Sequence, residues 1–65
     1  MAHSQPPEPG EVRHQRLQGS DATYRVVSTE GEHVMVEVIE APGLEAGYRI
    51  RMLREAVQAM NIIEP

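Results

Sequence analysis

The chain has 65 residues, ten acidic against six basic, and a formal net charge of −4. That length allows one small domain. The negative balance argues against a general nucleic-acid binder, whose affinity rests on neutralised phosphates. Cysteine, phenylalanine and tryptophan are absent, which excludes disulfides and Cys-based zinc sites and leaves a core of Val, Ile, Leu, Met and two Tyr.

Residues 1–10, "MAHSQPPEPG", hold three prolines and almost no aliphatic side chain. Such a segment cannot bury enough surface to offset its ordering entropy, so a disordered tail is expected, followed by one domain over residues 11–65. The sequence shows no apolar targeting segment and no run long enough to span a membrane, which makes a cytoplasmic protein the expectation. All six basic residues are arginine. Arginine suits bidentate contacts to carboxylate or phosphate. Coding bias, in a bacterial-like composition rich in Arg, Ala, Gly and Pro, explains the same fact more simply.

Next comes "EVRHQRLQG", residues 11–19. It alternates but is too polar for a central strand, and reads either as an extra edge strand near residues 12–17 or as a loop, with a turn at Gly19-Ser20-Asp21. Residues 23–41, "TYRVVSTEGEHVMVEVIEA", carry β-branched residues on both sides of a polar break, a hairpin signal. A two-residue loop at Glu30-Gly31 would set Val34, Val36 and Val38 beside Thr23, Arg25 and Val27. A three-residue loop at Thr29-Glu30-Gly31 instead gathers Tyr24, Val26, Val34, Val36 and Val38 on one face. A slip of one residue reverses every side chain, so the apolar pattern selects the three-residue loop.

Pro42-Gly43 suits the centre of a type II turn. In "YRIRM", residues 48–52, Tyr48, Ile50 and Met52 alternate with Arg49 and Arg51. A strand here would extend the valine face and set its arginines against Glu37, with Arg25 on the same side. The period then changes. Leu53, Ala56, Val57 and Met60 predict a short helix over residues 53–60, with no good N-cap and Asn61 as its C-cap. "IIE" reads as a terminal strand or an apolar tail.

The expected fold is therefore a small α+β domain. It has a three-stranded antiparallel meander over residues 22–28, 32–39 and 48–52, an optional fourth N-terminal edge strand, and a C-terminal helix. The alternative is an SH3-like small β-barrel, in which the helix shrinks to one turn and Ile62-Ile63 closes the sheet. "YRIRMLREAV" resembles the strand–turn–helix signature of the swapped-hairpin transcription regulators at Leu53, Arg54, Glu55 and Ala56. No proline precedes Leu53, and no family residue is carried over.

Ser4, Ser20 and Ser28 have no histidine at a telling spacing, and His3, His14 and His33 match no zinc pattern. No catalytic residue, metal or cofactor is expected. The candidate interaction face comprises Arg25, Val27, Met35, Glu37, Ile39, Arg49 and Arg51. Its charges could simply complement one another across strands, or present arginines to an anionic partner. Val27, Met35 and Ile39 could form an apolar patch, unless Val12 and Leu17 cover it. These features point to a non-catalytic domain that forms a homodimer or binds another protein. The alternative is a small nucleic-acid-binding regulator using Arg25, Arg49 and Arg51. Burial of both Tyr rings, also expected, would deprive it of a stacking platform.

Overall fold

Two tight turns set the register of the sheet. In the computed structural model, which describes residues 5–65, Leu17 pairs with Ser20 around Gln18-Gly19, and both turn residues have positive φ (50° and 83°). That is the requirement of a type I′ hairpin turn. It replaces the expected turn at Gly19-Ser20-Asp21, because Ser20 and Asp21 already belong to the second strand. The next hairpin turns at Gly31-Glu32, where Glu30 pairs with His33 and Gly31 has φ +60°.

The elements follow as β1 (Val12–Leu17), β2 (Ser20–Glu30), β3 (His33–Glu40), β4 (Arg49–Leu53), α1 (Arg54–Gln58) and β5 (Asn61–Glu64). The sheet order is β4-β3-β2-β1-β5 with every neighbouring pair antiparallel, and the sheet is not closed. The N-terminal strand exists but is not an edge, because β5 pairs along its other side.

The expected three-residue loop is wrong, yet the face it was chosen to protect is right. A two-residue turn alone would bring Val34 and Val36 opposite Thr29 and Val27. The register shifts between Val26 and Ser28, so Val27 is an inserted residue, and beyond it Val26 pairs with Val36 and Tyr24 with Val38. A bulge of this kind absorbs one residue and restores the inside–outside alternation. Tyr24, Val26, Val34, Val36 and Val38 are buried together with Ala22, Val57 and Met60.

The helix spans five residues rather than eight. Leu53 ends β4 and is exposed; Ala56 is exposed too, while Val57 and Met60 face the core. No side chain caps the helix. The Arg54 amide instead donates to Glu32 O at 2.7 Å, so the β2–β3 turn supplies the acceptor that Leu53 lacks. The C-cap is Ala59, and Asn61 opens β5. Between β3 and β4, Leu44 N donates to Ala41 O at 3.2 Å across Pro42-Gly43, with Gly43 at φ +75°, as a type II turn requires.

Of the expected tail, residues 1–4 lie outside the described residues. Residues 5–10 lie against the sheet. Pro7 is buried, and Gly10 N donates to Val26 O at 2.8 Å. Arg13 reaches Gln5 O at 3.0 Å.

Candidate functional site

Strand alternation sends the even-numbered valines of β3 inward and His33, Met35, Glu37 and Ile39 outward. The outer rows then follow from the register. Arg25, Glu37 and Arg49 lie side by side on β2, β3 and β4, and Ser28, Met35 and Arg51 form the adjacent row. Arg49 Nε lies 3.6 Å from Glu37 Oε2. Arg25 donates to Gly10 O at 3.4 Å, a long contact at an exposed position. Among the described residues, no carboxylate oxygen lies within 4.0 Å of an Arg51 nitrogen.

The face thus brings together Arg25, Glu37, Arg49 and Arg51. It does not join its apolar members. Val27 sits half-buried in the bulge, and Met35 is half-buried beside Arg51. Ile39 is exposed beyond the charged row that separates it from Met35. Exposed aliphatics lie instead on the two outermost strands and at the β3–β4 connection. They are Leu53 on β4, Ile62 and Ile63 on β5, and Leu44 beside Tyr48. Tyr48 was expected inside. It precedes β4 and is 57% exposed, although its carbonyl accepts from Val38 N at 2.8 Å.

A second polar centre escaped the sequence reading. Arg13 is 1% exposed, and its side chain makes four hydrogen bonds. Nε and Nη2 donate to Glu11 Oε1 at 3.0 and 2.8 Å. Nη1 donates to Val57 O at 3.1 Å, and the Glu8 amide also donates to Glu11 Oε1 at 3.1 Å. One guanidinium therefore ties the N-terminal segment, β1 and α1 together. The available signal was the i, i+2 spacing of Glu11 and Arg13, which places both on one face of a strand. Hydrophobic periodicity alone assigns such a face to solvent.

Among the described residues no buried side-chain nitrogen or oxygen lacks a hydrogen-bond partner, and no group of three or more metal-ligating side chains converges. His14 Nε2 lies 3.2 Å from Asp21 Oδ1 at the sheet surface. His3 lies outside the described residues. Two depressions open on the surface. One, of about 340 Å3, is lined by Glu32, Leu53, Arg54, Glu55 and Gln58. The other, of about 230 Å3, lies beside Gln5, Arg13, Gln58, Met60, Asn61 and Ile62. No protein family, curated protein or solved structure matches the chain. No helix among the described residues is long and apolar enough to cross a membrane.

Proposed function

We propose that the chain is a non-catalytic interaction domain of the cytoplasm. It works through the margins of its sheet, by self-association or by binding another protein. One observation carries this reading: among the described residues no further strand pairs along either margin, and each presents exposed aliphatic side chains, Leu53 on β4 and Ile62 and Ile63 on β5. Unpaired strand edges are templates for further pairing. The order β5-β1-β2-β3-β4, with a single short helix between β4 and β5, supports the SH3-like version of the architecture over a three-stranded meander with a terminal helix. Sedimentation velocity across a wide concentration range, with amide hydrogen exchange on both edge strands, tests the proposal. Concentration- or partner-dependent protection of either edge supports it. A strict monomer whose edges exchange freely in the presence of every protein partner tried rejects it.

Exposure of Tyr48, next to Arg49 in sequence, favours a second reading, in which Arg25, Arg49 and Arg51 contact nucleic acid. Titration with single-stranded oligonucleotides at low salt decides it, because such binding must weaken steeply as salt is added.

A further inference from the structure

We infer that the free edge of β4 receives an extended acidic segment of another protein, added to the sheet as a sixth strand. This rests on the interaction-domain reading and names the partner chemistry for one of the two margins.

The backbone comes first. Tyr48 O accepts from Val38 N, and Arg54 N donates to Glu32 O, so the even-numbered residues at both ends of β4 bond to β3. In an antiparallel ladder the bonding direction alternates. The main-chain groups of Arg49, Arg51 and Leu53 therefore point to the free edge, where no strand lies among the described residues.

Side chains then specify the partner. Arg49 and Arg51 stand exposed on the outer face of this edge. On β2, β3 and β4, Glu37 is the one carboxylate in the rows of Arg49 and Arg51, and it lies between Arg25 and Arg49. Arg51 has Met35 as its cross-strand neighbour and, among the described residues, no carboxylate oxygen within 4.0 Å of its nitrogens. An incoming strand would place alternate residues beside Arg49 and Arg51, where carboxylates are favoured and cations opposed. Its intervening residues would continue the row of Ile50 and Met52, which are half-buried against the core, so these should be apolar.

Two self-pairings of this edge are disfavoured by charge. Antiparallel pairing of β4 with itself puts Arg51 opposite Arg51 when Ile50 faces Met52, and Arg49 opposite Arg51 when Ile50 faces Ile50. Like charges directly opposite are destabilising. The contrary role for edge arginines, blocking all strand addition, makes the opposite forecast and is separated by experiment.

The probe is a short, capped peptide alternating Glu and Val. Its controls are an alternating Lys–Val peptide and a Glu–Val peptide of the same composition with the residues in two blocks. The readout is NMR titration with amide exchange. The alternating Glu–Val peptide should protect the Arg49, Arg51 and Leu53 amides and bind more weakly as salt rises. Arg51→Glu lies at an exposed site, and an unchanged amide spectrum away from β4 will show that it folds. It should weaken the Glu–Val peptide about tenfold or more, a change of roughly 1.4 kcal/mol, and improve Lys–Val binding. Equal response to all three peptides, or no protection of β4 by any of them, overturns the inference. If β5 amides are then protected by self-association or by a partner, the interaction-domain reading survives without it. If neither edge is ever protected, both fall.

Discussion

Arg13 offers the sharpest test of the packing. Its guanidinium is 1% exposed and its carboxylate partner Glu11 8%. Removing one member of a buried pair strands the other charge, which costs about 3–5 kcal/mol. A 65-residue chain has a total stability of only about 3–10 kcal/mol at the usual value per residue. Glu11→Ala should therefore remove a third or more of it, and leave Arg13 held only by the Val57 and Gln5 carbonyls. Arg13→Met should cost less, about 1–3 kcal/mol, because Glu11 lies nearer the surface and can turn its carboxylate to water. Arg13→Lys should cost more than Arg13→Met, since one ammonium cannot span Glu11, Val57 O and Gln5 O and is more strongly hydrated than a guanidinium. The double variant Glu11→Leu/Arg13→Met replaces the pair by apolar volume and should be more stable than Glu11→Ala alone. Urea unfolding followed by circular dichroism measures all four. With a slope of about 1 kcal/mol/M for so small a domain, Glu11→Ala should lower the midpoint by several molar or leave no folded baseline. A loss below about 1 kcal/mol for Glu11→Ala, or a double variant no more stable than Glu11→Ala, would refute the claim that this is a desolvated, coupled pair.

Two further outcomes follow from the same geometry. Val57→Ala should cost about 2–3 kcal/mol in urea unfolding, because the side chain is fully buried beneath a helix too short to hold itself on the sheet. Gly31→Val should cost about 1–2 kcal/mol by the same assay, since the position has φ +60° and a β-branched residue resists that conformation; Gly31→Asn should be much milder, and equal losses for the two would argue against conformational strain as the cause.

The inner face of β2 and β3 was legible because strand alternation has a period of two and its valines leave little choice. Registers differing by two residues share that face, so the pattern could not separate the expected loop from the observed one. What decided between them was local: Gly31 leading a two-residue turn, and a bulge at Val27 that no periodicity announces. The helix was misjudged for a related reason. Leu53 fits the i, i+3, i+4 stripe, yet the Glu32 carbonyl captures the Arg54 amide and holds Leu53 as the last residue of β4. On the candidate face, alternation alone puts Arg25, Glu37, Arg49 and Arg51 on one side of the sheet, but it sets Arg25 only diagonal to Glu37; the direct Arg25–Glu37–Arg49 row comes from the register. The separation of Met35 from Ile39 needed the charged row to be placed between them. Burial of Arg13 had only the Glu11 spacing to signal it, because it also depends on the Gln5 carbonyl and on the Val57 carbonyl, 44 residues away in sequence.

The arginines also bear on why the chain carries no lysine. At position 13 three nitrogens spread over one planar group reach separate acceptors in a buried site; an ammonium has three donors too, but all on one nitrogen, and cannot span them. That requirement explains one arginine of six. Arg16 lies 3.9 Å from Asp21 with its side chain 70% exposed, and Arg49 is 60% exposed at 3.6 Å from Glu37. Pairs this open gain little from any particular cation, so coding bias suffices for them in the isolated domain. Arg51 is different in kind. It is exposed, no carboxylate oxygen among the described residues lies within 4.0 Å of its nitrogens, and its own backbone groups face an open edge. Whatever selects arginine over lysine there acts from outside the chain or does not act at all. Arg51→Lys separates these cases: loss of affinity for the alternating acidic peptide, with unfolding stability unchanged, would place the bidentate partner on the added strand.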